Sequence, residues 1–240
     1  MTTVTAHTVD VAGLSVHYRV RGAADGRPVL LLHGGASDAT TWDFFAEALV
    51  ARGMRVIAPD LRGHGGTARA GSYPLSAFAD DVIGLLDALG LDQVAIVGHS
   101  LGAHAAALAA QRAPHRFTDL VLEDPPAPMH GDATPRPSLP AFLLLGLGSL
   151  LRRRRFHAFA MREVIRQLRS PDPAYWDALP SITARTLVIS GGPKSHVAPS
   201  DVAVVARRIP HAELATIPVG HRVHSRAPEQ FRDLVVPFLA

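Results

Sequence analysis

The sequence predicts an α/β fold in which a parallel sheet is covered by helices. Three observations predict it. Short apolar runs alternate with amphipathic ones along the whole chain. The later apolar runs are continuous, as strands buried on both faces must be. Each run stops at Gly, Pro or Asp, residues that turn the chain at strand ends.

Taken in order, "VDVAGLSVHYRV" alternates apolar and polar residues about a Gly-centred turn, as half-buried strands do. "PVLLLHGG", "RVIAPD", "QVAIVGHS", "DLVLEDPP", "TLVISGG" and "LATIPVG" read as further strands. Between them, "WDFFAEALVARG", "SAFADDVIGLLDALG", "LGAHAAALAAQRAP", "SDVAVVARRIP" and "PEQFRDLVVPFL" carry helical spacing. The alternation breaks once. From Ala127 to Pro180 the chain is Pro-rich and then helical with no strand, which predicts an insertion rather than a second core. The expected organisation is a core of residues 1–126 and 181–240 with a helical cap of residues 127–180.

Composition narrows the function. A chain of 240 residues, 48% apolar, can bury one sizeable core. With no Cys it has no disulfide framework, thiolate nucleophile or Cys-ligated metal. The opening "MTTVTAHTVDVAGL" lacks the basic and apolar regions of a signal peptide. The apolar run from Ala141 to Leu151 is shorter than the roughly 18 residues of a spanning helix, so a cytoplasmic protein without a transmembrane segment is expected. The net charge of +3 is dispersed except at Arg152–Arg155, which predicts a generally basic surface rather than a nucleic-acid site. Oligomeric state is left open.

The strongest chemical signal is "GHSLG", Gly98 to Gly102, between the strand "VAIV" and an Ala-rich helix. A tight strand-to-helix turn strains its central residue and tolerates only small flanking residues, so Ser100 projects its hydroxyl from the sheet edge. The helix start then faces any negative charge developing beside it.

With this motif, "LLHGG" at Leu31–Gly35, "DLRGHG" at Asp60–Gly65, and "GHRVH" ahead of "PEQF", the chain resembles the α/β-hydrolase fold superfamily over nearly its whole length. The resemblance implies an eight-stranded, mostly parallel sheet with a small helical cap after the sixth strand. It implies Ser100 as nucleophile and an oxyanion hole from the backbone N–H groups of Gly35 and Leu101. It implies His221 as general base, with His224 the runner-up. A metal held by His221 and His224 is disfavoured, since no acidic residue adjoins them. His33, His64 and His99 read as structural hydrogen-bonding residues, and the other histidines as surface residues. No cofactor or metal is expected.

The acid departs from the usual pattern. Many relatives carry it in the turn after the seventh strand, which here reads "GGPKSHVAP" with Lys194 at the aligned position. A cation cannot orient or stabilise an imidazolium. The sixth strand ends in "VLEDPP", and some relatives carry their acid there, at the position of Asp124. Neighbouring parallel strands end about 5 Å apart, so a carboxylate can reach the same imidazole from either. Asp124 is the expected acid, with Glu123 or no acid as alternatives.

A serine nucleophile separates the chain from epoxide hydrolases and haloalkane dehalogenases, which resemble it in layout but use Asp at this position. The expected activity is a carboxylesterase or lactonase acting on a small ester-like substrate through an acyl-enzyme. The alternatives are a thioesterase or carbon–carbon bond hydrolase, or a non-hydrolytic ligand-binding or cyclase-like protein.

Overall fold

The computed structural model describes residues 3–129 and 156–240. Eight strands, β1 (Thr5–Val11), β2 (Leu14–Arg21), β3 (Arg27–Leu32), β4 (Met54–Pro59), β5 (Val94–His99), β6 (Phe117–Glu123), β7 (Arg185–Ser190) and β8 (Ala212–Thr216), form one sheet in the order β1-β2-β4-β3-β5-β6-β7-β8. β1 and β2 make an antiparallel hairpin, and β2 runs antiparallel to β4. The five remaining pairings are parallel.

The strand residues sort to the two faces with period two. Leu30, Leu32, Ile96, Leu120, Leu122 and Val188 join one buried cluster. Their neighbours Val29, Leu31, Val97, Val121 and Ile189 join the other. Each such side chain stabilises the fold by about 1.5–3 kcal/mol on burial, and a one-residue register slip in β5 or β6 would turn every side chain of the strand towards the wrong cluster.

The described residues also form helices α1 (Asp43–Val50), α2 (Leu75–Ala88), α3 (Leu101–Arg112), α4 (Ala158–Leu168), α5 (Pro173–Ala178), α6 (Pro199–Arg208), α7 (Val223–Arg226) and α8 (Pro228–Leu239). α2, α3 and α6 bury their apolar stripes in the first cluster, α1 and α8 in the second. α3 carries Ala103, Ala105, Ala106, Ala107, Ala109 and Ala110, all buried. These small side chains let its axis lie close against the sheet.

α4 and α5 come from the stretch between β6 and β7. Residues 130–155, including the apolar run Ala141–Leu151 and Arg152–Arg155, lie outside the described residues. α4 is tied to the core at both ends. The N–H of His157 donates to Gly63 O at 2.8 Å. Gln167 accepts from the N–H of Leu75 and donates to Tyr73 O, both at 2.9 Å. No helix among the described residues is long and apolar enough to cross a membrane.

Register fixes where the site lies. His99 pairs with Glu123, and Glu123 with Ile189, so Ser100, Asp124 and the turn beyond Ser190 emerge together at the carboxyl edge of the sheet. The chain leaves β3 for β4 on one side and later returns to β5 on the other. Such a reversal opens a crevice at the carboxyl ends of the strands, the place where ligands bind in open α/β sheets.

Candidate active site

Ser100 links β5 to α3 with φ 51° and ψ −117°, left-handed backbone that non-glycine residues rarely adopt. Its N–H donates to Glu123 O and its carbonyl accepts from the N–H of His104, each at 2.9 Å. The flanking glycines explain the motif. A Cβ on Gly98 would lie 2.5 Å from Gly102 O, and one on Gly102 would collide with the carbonyl of Leu32.

The Gly34–Gly35 turn follows β3 directly. His33 is buried, donates from Nδ1–H to Gly34 O at 2.8 Å and accepts the N–H of Leu61 at Nε2 at 2.9 Å. His64 does the same one layer out, donating to Arg62 O at 3.0 Å and accepting the N–H of Ala36 at 3.2 Å. Both bonding patterns require a neutral ring. Burial supplies it, lowering His33 and pushing His64 down to about 3. Asp60 completes the scaffold by accepting from His17 Nδ1 and from the N–H groups of Ala39 and Gly66 at 2.8–2.9 Å. Gly35 sits beneath Met161 of α4, where a Cβ would lie 2.5 Å from the Met161 methyl carbon.

At the end of β6 two consecutive carboxylates turn to two different histidines. Asp124, at φ 47°, accepts from His221 Nδ1–H at 2.7 Å through Oδ2. The Asp124 side chain is 0% exposed and that of His221 17%, so the carboxylate is dry while the imidazole is accessible. Asp124 Oδ1 accepts the N–H of Gly191 at 2.8 Å, and the Ser195 hydroxyl donates to Oδ2. Glu123 instead takes His224, accepting from its Nδ1–H at 2.7 Å and its backbone N–H at 3.0 Å. His224 Nε2 accepts from the Thr41 hydroxyl at 2.9 Å, and its ring lies 4.3 Å from that of Trp42. Burial alone would raise Glu123, but His224 above all outweighs it and leaves the carboxyl below its ordinary range.

His99, the residue before Ser100, donates from Nε2–H to His221 O at 2.8 Å, so the strand that carries the serine also holds the histidine loop. Burial pushes His99 down to about 3 and keeps it a neutral donor. His99, Glu123 and His224 each bring a potential metal-ligating atom within 4.8 Å of the others. Their hydrogen bonds already engage the Glu123 carboxylate, His224 Nδ1 and His99 Nε2, so the cluster acts as a tie between β5, β6 and the His221 loop.

One expectation is corrected. The histidines outside the motifs do not all lie at the surface. His104 is buried because α3 lies flat against the sheet. It donates from Nδ1–H to Pro126 O at 3.0 Å and stacks on Tyr175 at 4.8 Å. Burial pushes it down to about 4. Glu123, the alternative acid, faces His224 rather than His221. Lys194 is exposed, and Asp201 lies in the first turn of α6. Sequence reasoning missed Gly191, Ser195, His196, Thr41 and Met161. A hydroxyl and an imidazole directly after Lys194 were the one available signal for Ser195 and His196.

The chain matches the family model described as alpha/beta hydrolase fold over residues 27–143. It is similar to the sn-1-specific diacylglycerol lipase ABHD11 of Mus musculus, at 28% identity over 96% of this chain and 87% of that one. It is also similar to an epoxide hydrolase of Caballeronia sordidicola, at 38% identity, but over 48% of this chain and only 35% of that relative. Among solved structures, a hydrolase from Pseudomonas aeruginosa PA01 superposes with a TM-score of 0.83 at 27% identity, covering 98% of each chain.

Proposed function

Since the chain belongs to the α/β-hydrolase superfamily, we propose that it is a serine hydrolase that cleaves ester-like bonds through an acyl-enzyme. The observation that carries the reading is the 2.7 Å hydrogen bond between His221 and Asp124 at the sheet edge where Ser100 stands. In this reading Ser100 Oγ attacks the carbonyl carbon and His221 Nε2 takes the hydroxyl proton. Asp124 holds the Nδ1–H side of the ring and balances the imidazolium. The N–H groups of Gly35 and Leu101 donate to the oxyanion. His221 then returns the proton to the leaving alcohol, and water attacks the acyl-enzyme in the same way to release the acid.

Residues 1–126 and 181–240 serve as the catalytic core and residues 127–180 as its cap. The contact of Met161 with Gly35 supports this division, since it brings α4 over the oxyanion turn. A carboxylic ester or lactone is the first-choice substrate, supported by the lipase name of the mouse relative. The epoxide hydrolase likeness carries less weight, because it spans under half of this chain and Ser100 occupies the nucleophile position. A binding-only role draws its argument from Lys194 in the turn after β7, and the Asp124–His221 hydrogen bond supports the hydrolase reading over it.

A fluorophosphonate probe should label the parent chain at Ser100, and a panel of p-nitrophenyl esters, lactones and acyl thioesters should rank the substrates. Absence of labelling together with no turnover across the panel would remove the hydrolase reading. Turnover of thioesters alone would redirect it to that class.

A further inference from the structure

The turn after β7 holds no carboxylate, yet it wraps around Asp124. The N–H of Gly191 donates to Asp124 Oδ1 at 2.8 Å, and Gly191 O accepts the N–H of Gly220, the residue before His221, at 2.9 Å. The N–H of Ser195 closes the turn on Gly192 O at 2.9 Å. Ser195 Oγ accepts the N–H of Val197 at 3.0 Å. With that acceptor site filled, the hydroxyl proton is directed to Asp124 Oδ2, the oxygen that also accepts from His221. His196, the next residue, packs its ring 3.8 Å from that of His221.

We propose that Ser195 is a positioning residue for the acid–base pair: its hydroxyl fixes the Asp124 carboxylate and draws charge from the oxygen that faces His221. The proposal rests on the Ser100–His221–Asp124 reading. A shared acceptor oxygen gives less to each donor, so removing the hydroxyl leaves Asp124 less ordered but with more of its charge directed at His221. Among the described residues, the ionisable groups that face the His221 ring are Asp124 from the end of β6, His196 from the β7 turn and His99 from β5. Glu123 and His224 pair with each other beside them. A change of pH profile in a Ser195 variant is therefore read through the Asp124–His221 bond.

The test uses the full chain with p-nitrophenyl acetate and the variants Ser195→Ala, Ser195→Thr, Ser195→Cys and Asp124→Asn. Ser195→Ala should lower kcat about tenfold with KM within about twofold, and move the acidic limb of kcat/KM upward by about half a pH unit. Ser195→Thr, which keeps the hydroxyl, should restore both. Ser195→Cys, close in size but a weak donor, should follow Ser195→Ala and serves if that variant does not fold. Without substrate, the downfield proton resonance that is lost in Asp124→Asn should shift in Ser195→Ala. Parental kcat and an unmoved limb in Ser195→Ala would overturn the proposal, as would a loss of kcat that Ser195→Thr does not repair. Parental activity in Asp124→Asn would instead remove the reading beneath it, and the proposal with it.

Discussion

The N–H of Ser100 donates to the carbonyl of Glu123 at 2.9 Å, so the strained turn after β5 is pinned to the last residue of β6, one position before Asp124. The proposed nucleophile and acid are thereby fixed to one another through the main chain, whatever their side chains do. Each of the following outcomes depends on that frame or on the histidines around it.

Ser100→Ala should abolish fluorophosphonate labelling and ester turnover while leaving Tm within a few degrees of the parent. Ser100→Gly should also be inactive but should raise Tm, because glycine adopts φ 51° without the strain of about 1–3 kcal/mol that serine bears there. Calorimetry alongside the labelling assay decides both; a Ser100→Gly protein less stable than Ser100→Ala would refute the strain argument.

For a neutral ester, kcat/KM should rise with pH as the histidine base loses its proton and then level off. A profile flat from pH 5 to 8 would mean that no histidine base acts in the limiting step.

Asp124→Asn should cut kcat by about 10³ to 10⁴, since the imidazole loses both its orienter and its counter-charge. Lys194→Ala should change it little. Adding Lys194→Asp to Asp124→Asn should recover at least about tenfold, because the ends of β6 and β7 are neighbours in the sheet. Failure of the double variant to exceed Asp124→Asn would show that the β7 turn cannot present a carboxylate to His221.

The adjacent carboxylate should behave differently. Glu123→Gln weakens the buried tie to His224 and should lower Tm by several degrees. It should leave the pH limb of kcat/KM where it is, since His221 keeps its own partner. A moved limb with unchanged Tm would assign Glu123 to the reaction instead.

Acid stability follows from the buried histidines. His64, His99 and His104 stand at about 3, 3 and 4 in the folded protein against an ordinary 6.5. Between roughly pH 3 and 6.5 the unfolded chain therefore binds protons that the folded chain refuses, so stability falls as pH falls through this window and levels off below it. Near pH 5 these three rings should account for about three protons taken up on unfolding. Denaturant melts at half-unit pH steps would measure the slope; stability independent of pH across the window would mean the rings are charged in the fold.

The mostly parallel sheet was legible because strands buried on both faces read as continuous apolar runs, and "VAIVGHSLG" joins such a run to a helix through residues that only a tight turn selects. Asp124, the proposed acid, was legible as a candidate because the resemblance allows an acid at the end of the sixth strand and Lys194 cannot serve. The partners of that acid were not. Ser195 and Gly191 reach it only because β6 and β7 pair in register, a relation over more than 60 positions that no local pattern carries. The inward-facing His104 was missed for a similar reason: an Ala-rich helix has small side chains all round, and composition alone does not say which side meets the sheet.

Asp124, the proposed acid, stands at the root of the long excursion to β7, with only Pro125 and Pro126 before that excursion begins. Two anchors stand at this root: the bond from His104 to Pro126 O, and the one from Trp176 Nε1–H to Pro128 O at 3.2 Å. They moor the chain to α3 and α5 within four residues of the carboxylate. In the proposed serine hydrolase, sequence changes within residues 130–155 that leave both anchors in place should spare the Asp124–His221 pair. Substrate range and catalytic competence can then change independently of each other.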